Sequence, residues 1–281
     1  MYQYHQNNER KRILIFLDID GTLITPAQKT NSNSLPRLIR ELGKQGILFG
    51  LNSNRSIEDL QPLYRKFFLN GPIIAENGVY FIPAPKKKKH FLIPRPPKNV
   101  TAITRRMIRE FIKHEKLKAT IFIGDSTRFI TSKKLHLIPI AVVANGYRCY
   151  TGSIHLFRYG KRDMRVTIKF EKFLQNYFRR NSLKLKTALT RAFSNVTFYP
   201  NGVGKGIALQ RLKQYYPNFD FYMIGDDLGD LEVIPTVKAL FAVANAQPEV
   251  KQRASYTATL PYTAGVVEIL KHFAQTSLQM M

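Results

Sequence analysis

The chain has 281 residues, 44% of them hydrophobic and 22% charged, so it can bury a core of its own and falls outside the disordered class; the length fits one large domain or two modest ones. No apolar run approaches the ~18 residues that a membrane-spanning helix needs, and a single cysteine, Cys149, excludes an internal disulfide framework and suits a reducing compartment. With 44 Lys and Arg against 19 Asp and Glu, the net charge is +25, a field that attracts nucleic acid, an acidic membrane surface or phosphorylated metabolites alike.

Residues 1–12 are polar and basic and are expected to form a disordered tail. Ile13–Leu17 is wholly apolar, as a parallel strand buried on both faces would be. Arg10, Lys11 and Arg12 before it give a superficial look of a secretory leader, but the run is shorter than the ~7 to 15 residues of such a segment. It is therefore read as a strand, and the protein as cytoplasmic. Leu35–Gln45 reads as a helix with Ser34 as its N-cap and Gly46 as its stop. Ile47–Leu51 is a second strand, Ser56 caps a helix running to Phe68, and Ile73–Ala75 is a third strand. This alternation predicts a doubly wound, mostly parallel α/β sheet of the Rossmann-like kind.

The pattern changes at residues 83–98, where Pro83, Pro85, Pro94, Pro96 and Pro97 flank the run Lys86–Lys89. From there to residue 195 the chain is basic, with helical stretches expected near 100–116 and 182–193. Strands are expected near 120–123, 139–143 and 153–158. This segment, 83–195, is read as an inserted α+β cap domain. The alternation resumes with Val196–Tyr199 as a strand, 205–216 as a helix, Asp220–Ile224 as a strand, a helix near 229–235, Ala239–Val243 as a strand and a last helix over 264–274. The core would then comprise 13–82 and 196–281.

Four short motifs carry chemistry. Asp18-Ile19-Asp20-Gly21-Thr22 closes the first strand, where ligand sites of parallel sheets lie. Two carboxylates at this spacing can point into one crevice, with Asp18 as nucleophile and Asp20 as general acid and base. A calcium loop would need a fifth-position acid or amide and a sixth-position glycine, where this chain has Thr22 and Leu23. Gly225-Asp226-Asp227-Leu228-Gly229-Asp230 follows another apolar strand. Mg²⁺ prefers oxygen ligands, and Asp18, the Asp20 carbonyl and Asp226 could supply them, with Asp227 and Asp230 orienting from behind.

Lys205 lies among glycines at a helix start, Asn201-Gly202-Val203-Gly204-Lys205-Gly206. It is not a Walker A loop, since Tyr199 and Gly206 occupy positions that such a loop gives to other residues. On its own it reads sooner as a solvated lysine at a glycine-rich helix start; beside the other motifs it suits phosphate. Ser53-Asn54-Arg55 follows the second strand. Ser53 and the Asn54 amide could bind a phosphoryl group, or the segment could simply begin the next helix. Together the four motifs supply a nucleophile, an acid/base, metal ligands and phosphate donors.

These residues resemble the haloacid dehalogenase-like superfamily of phosphatases, in the large-cap branch that includes Cof-type and sucrose-phosphate phosphatases. Asp18–Thr22 matches the first motif, Ser53 the second, Lys205 the third, and Asp226 with Asp230 the fourth. Glu76-Asn77-Gly78, Val243-Ala244-Asn245-Ala246 and Gly265-Val266-Val267 are also similar. Asn54 stands in place of the usual glycine. Gly229 stands where many relatives have an asparagine that contacts phosphate or substrate.

The resemblance implies an Mg²⁺-dependent phosphatase acting on a small phosphorylated metabolite such as a sugar phosphate, through an aspartyl-phosphate on Asp18. A phosphomutase of the same superfamily, and a basic nucleic-acid-binding protein on this fold, are the alternatives. The second of these lacks a recognised binding motif. No membrane partner is expected, and the substrate and oligomeric state are not set by these residues.

Overall fold

The structure, a computed structural model, describes residues 12–84, 87–92, 100–124, 130, 132–145, 148, 150–190 and 194–277. Residues 1–11 of the expected tail, Cys149, Lys86 and Pro85, Pro94, Pro96 and Pro97 lie outside the described residues. Arg12, expected in the tail, opens the first strand instead, with its guanidinium 4.7 Å from the centre of the Phe219 ring.

The first sheet has eight strands. They are β1 (Arg12–Leu17), β2 (Leu48–Asn52), β3 (Ile73–Ala75), β4 (Tyr80–Ile82), β5 (His90–Phe91), β12 (Phe219–Gly225), β13 (Ala239–Ala242) and β14 (Tyr256–Thr257), in the spatial order β14-β13-β12-β1-β2-β3-β4-β5. All pairs from β14 to β3 are parallel; β4 and β5 add an antiparallel edge. β1 pairs with both β12 and β2, and Ile13 to Leu17 are buried, which explains why that run is apolar without alternation.

Helix α1 (Leu35–Lys44) buries Leu35, Ile39 and Leu42, a helical spacing that turns one face to the sheet. Ser34 occupies its N-cap, but the Ser34 hydroxyl bonds Ser32 rather than the helix. Helix α2 (Ile57–Lys66) is capped by Ser56, whose Oγ accepts from the Asp59 amide at 3.4 Å.

The second sheet has six strands: β6 (Thr120–Gly124), β7 (Ala141–Asn145), β8 (Gly152–Arg158), β9 (Lys161–Arg162), β10 (Leu185–Thr190) and β11 (Asn195–Pro200), with β10-β11-β8-β7-β6 side by side and β9 on β8. Helices α3 (Val100–His114) and α4 (Met164–Arg180) cover one face, where Phe111 meets Phe170 edge-on at 4.8 Å. Asp163 caps α4 by accepting from the Val166 amide at 3.1 Å.

The helix expected over 182–193 is instead strand β10 where described. Leu185 and Leu189 share a face in a strand as well as in a helix, so their spacing does not discriminate. Thr187 and Thr190 favour a strand, and six residue pairs with β11 hold it. β11 pairs with β8 and β10, and β5 pairs with β4, so sheet membership changes near residues 92 and 200. Near 229–235 the chain makes a 3₁₀ turn, Leu228–Val233, in place of an α-helix. Helices α5 (Lys205–Leu212), α6 (Pro248–Arg253) and α7 (Tyr262–Ser277) complete the first layer.

The charge is unevenly spread. Residues 83–200 hold 27 of the 44 Lys and Arg and only 5 of the 19 Asp and Glu. Nearly all the excess positive charge thus belongs to the segment carrying the second sheet.

Replacing Leu14 in the central strand with Ala is expected to cost about 2–5 kcal/mol, because the site is fully buried and cannot collapse. Urea denaturation should show a lower midpoint with an unchanged slope. A loss under about 1 kcal/mol would contradict a central β1.

Candidate active site

β1 and β12 end side by side in parallel, which brings Asp18 and Asp226 to one edge of the first sheet. Carboxylate oxygens of Asp18, Asp226 and Asp230 lie within 4.8 Å of one another, all buried. Lys205, the first residue of α5, reaches into them: its Nζ is 2.6 Å from Asp18 Oδ1 and 2.7 Å from Asp230 Oδ1. Residues separated by more than 180 positions thus share one ammonium.

The loops around this cluster are held by specific bonds. Thr22 Oγ1 donates to Asp226 Oδ1 at 2.7 Å. Asp230 Oδ2 accepts from the amides of Asp226 and Asp227 at 2.9 and 3.1 Å, so both of its oxygens are engaged by protein donors. Asp227 caps the 3₁₀ turn and accepts from Gln247 Nε2. Asn245 Nδ2 donates to the Gly21 carbonyl at 2.7 Å, and Thr263 Oγ1 donates to the Leu23 carbonyl at 2.6 Å. Gly21 has φ +98°, and a Cβ there would run into the Asp226 carboxylate.

The electrostatics follow from burial. Burial pushes the Asp18 carboxyl up to about 7, with Lys205 opposing and Asp230 and Asp20 reinforcing. Burial, then the Asp18 and Asp230 charges, push Asp226 well above the ordinary carboxylate range. Asp227 moves in the same direction, through burial and Asp230. Burial opposes the Lys205 charge, but Asp18 and Asp230 outweigh it and hold the ammonium protonated. Several buried carboxylates against one lysine leave an excess of negative charge. An all-oxygen donor set of this kind suits a hard divalent cation.

Asp20 is placed differently. Burial would raise its pKa, yet Arg55 outweighs that and holds it below the ordinary range. Arg55 Nε and Nη2 donate to Asp20 Oδ2 and Oδ1 at 2.8 and 2.6 Å, and Nη2 also donates to Gln28 Oε1. This bidentate pair keeps Asp20 ionised. Ser53 is buried and its Oγ accepts from the Arg55 amide at 3.2 Å. Asn54 lines the same cavity, with its side-chain oxygen unbonded among the described residues. Gly229 lies outside the cavity lining, and a Cβ there would meet nothing within 4 Å.

One cavity of about 60 Å³ joins Asp18, Asp20, Ser53, Asn54, Lys205 and Asp227. Its other wall comes from the second sheet. Ser153 and His155 on β8 face Thr197 and Asn195 on β11, and Arg148 precedes β8. Sequence reading missed this wall and the Arg55–Asp20 pair. A signal was present: Ser153 and His155, and Asn195 and Thr197, place polar side chains at period two within otherwise apolar strands. The alternate residues Ile154, Leu156, Val196 and Phe198 pack under α3 and α4. Bonds between the walls include Asn145 Nδ2 to Asp59 Oδ2 at 2.7 Å and Arg162 Nη2 to the Pro26 carbonyl at 3.2 Å.

The model of the haloacid dehalogenase-like hydrolases matches residues 15–270. The chain therefore belongs to that family and is an enzyme. It is 23% identical over 262 residues to a phosphoglycolate phosphatase of Staphylothermus marinus, covering 92% of this chain and 96% of the relative. Among solved structures, a haloacid dehalogenase-like hydrolase from Bacteroides thetaiotaomicron superposes with a TM-score of 0.66 at 20% identity, covering 94% of this chain and all of that one. The sucrose-phosphatase of Synechocystis superposes with a TM-score of 0.56 at 15% identity, covering 94% and 98%. Both share the fold.

Lys205→Met would leave the buried carboxylates without their ammonium. Breaking a buried ion pair on one side typically costs about 3–5 kcal/mol. A drop in melting temperature at pH 8, shrinking toward pH 5 as Asp18 and Asp226 take up protons, is the expected result. An unchanged melting temperature at pH 8 would contradict the buried pairing.

Proposed function

We propose that this phosphatase releases inorganic phosphate from a small phosphate monoester, a sugar phosphate or a related metabolite, through a covalent phosphoryl group on Asp18. The observation that carries the reading is the meeting of Asp18, Asp226, Asp230 and Lys205 at one sheet edge. The name of the Staphylothermus marinus relative adds phosphoglycolate to the candidates. We also read the protein as acting in the cytoplasm; among the described residues no helix is long and apolar enough to cross a membrane.

Asp18 Oδ attacks phosphorus, and the bond to the ester oxygen breaks. Lys205, 2.6 Å from Asp18 Oδ1, favours the ionised nucleophile and offers positive charge to the phosphoryl oxygens. The Ser53 hydroxyl and the amides of the Asn54 loop suit the remaining oxygens. Water then attacks the acyl phosphate, passing a proton to Asp20, and phosphate leaves with Asp18 restored.

Asp20 suits the base role as it stands, because Arg55 keeps it ionised. Donating to the leaving oxygen requires Asp20 to gain a proton, which a partial withdrawal of Arg55 toward substrate would favour. Arg55 thus separates the two halves of the cycle.

The donor set fits a divalent cation such as Mg²⁺, which Asp18, Asp226 and the Asp20 backbone carbonyl would hold, with Asp230 and Asp227 fixing the loop. Such an ion supplies charge neutralisation for the phosphoryl oxygens. A phosphomutase would return the phosphoryl group to substrate, and assay of free phosphate against isomer formation separates the two.

Asp18→Asn is expected to abolish phosphate release, by at least 10³-fold, from every ester that the wild type hydrolyses. EDTA should do the same, with recovery on adding Mg²⁺. Mg²⁺ should raise the melting temperature of the wild type more at pH 8 than at pH 5, since protons and cation compete for the same raised carboxylates. Full activity in Asp18→Asn would end the reading.

A further inference from the structure

The cavity wall contributed by the second sheet contains a cation that makes no direct salt bridge among the described residues, although Glu76, Asp59 and Asp20 act on it from further away. Arg148 is 5% exposed, and no ion pair of its guanidinium occurs among the described residues. Its Nη1 donates to Thr151 Oγ1 at 2.9 Å. That hydroxyl donates in turn to Glu76 Oε2 at 3.0 Å, and Glu76 also accepts from the amides of Tyr150 and Thr151. The guanidinium is therefore aimed by a relay that starts in the first layer. Its Nε has no hydrogen-bond partner among the described residues. A buried cation with an unmet donor is costly unless something anionic comes to it.

The nearby carboxylates are committed elsewhere. Asp20 is gripped by Arg55. Asp59 accepts from Asn145 Nδ2 at 2.7 Å and from Ser56 Oγ at 3.0 Å. Glu76 serves Thr151 and Tyr150. The other cavity cations are likewise engaged, Lys205 by Asp18 and Asp230 and Arg55 by Asp20. Among the described cavity residues Arg55 and Lys205 are each in direct contact with a carboxylate, and Arg148 is not. The Nε edge of a guanidinium is a side from which it grips a carboxylate with two parallel bonds.

The cavity is also small. About 60 Å³ corresponds to only a handful of waters, at about 10–15 Å³ each. A second phosphate would bring more charge than one guanidinium balances.

We propose that Arg148 binds a carboxylate on the leaving group, so that the preferred substrates are phosphate monoesters of short hydroxy acids. Ser153, Asn195 and Thr197 then surround the short carbon chain with polar groups; Asn195 Nδ2 already donates to Ser153 Oγ at 2.9 Å, and Thr197 Oγ1 is unbonded among the described residues. This assignment rests on the phosphatase reading above and adds to it the residue that selects the substrate.

The test compares two esters of equal length, 2-phosphoglycolate and 2-hydroxyethyl phosphate, which differ in a carboxylate against a hydroxymethyl group. The wild type should favour the acid by at least tenfold in kcat/KM, because a site built for a charged partner rejects an analogue that leaves it unpaired. In Arg148→Met that ratio should collapse toward one, mainly through KM for the acid, and Arg148→Lys should keep part of it. If Arg148→Met folds poorly, the wild-type ratio still tests the preference for a carboxylate, and Arg148→Lys tests the residue. Equal rates on both esters in the wild type, or an unchanged ratio in Arg148→Met, would overturn the role of Arg148 alone. No phosphate from either ester or from p-nitrophenyl phosphate, with Mg²⁺ present, would overturn the phosphatase reading and this assignment with it.

Discussion

The Lys205 ammonium between Asp18 and Asp230 is the contact on which the rest of the site depends. Three carboxylates crowd one sheet edge, and burial and neighbouring charges disfavour the ionised forms of Asp18 and Asp226. At a separation of 4 Å, two unit charges repel by about 4 kcal/mol at an effective dielectric of 20. One lysine offsets part of that and leaves the remainder for a cation or for the electrophilic phosphorus. The cluster is thus held in a state that favours incoming positive charge. The parallel pairing of β1 with β12 makes this arrangement possible, since it forces both acidic loops to leave the sheet at the same edge.

The second sheet works by having two unlike faces. On one side Ile154, Leu156, Val196 and Phe198 form a core with α3 and α4. On the other, Ser153, His155, Asn195 and Thr197 line the cavity. Strand alternation does this without a loop insertion, so the same strands carry the polar wall and the core behind it. The link back to the first layer runs through Glu76, which sits in a left-handed turn with Asn77 and Gly78. Two non-glycine residues at positive φ store strain there, as happens where a backbone must present a group at a fixed point.

Much of the first layer was legible in the sequence. The unbroken apolar run Ile13–Leu17 can only suit a strand covered on both faces, and the acidic motifs follow directly after such strands. The cluster of Asp18, Lys205 and Asp226 could be named for the same reason, although the sequence does not fix their approach. The second sheet was less legible. Leu185 and Leu189 fit two periodicities, and the partner that settles the matter, β11, is tertiary information. Helix α4 went unread although Val166, Phe170, Leu174 and Tyr177 carry its spacing. The pairing of Arg55 with Asp20 could not be read from spacing, because it joins loops of two different strands. Arg148 was hidden in the same way: among so many basic residues, nothing in the spacing shows which ones the fold buries.

The concentration of positive charge in residues 83–200 places most of the anion-attracting field on the segment that supplies the second wall of the cavity. Such a field speeds the arrival of a negatively charged ester. The same field holds back departure, because the released phosphate is itself negatively charged. Turnover in this protein is therefore a compromise between capture and escape, and ambient ions, by shortening the reach of the field to about 8 Å at physiological strength, set where that compromise falls.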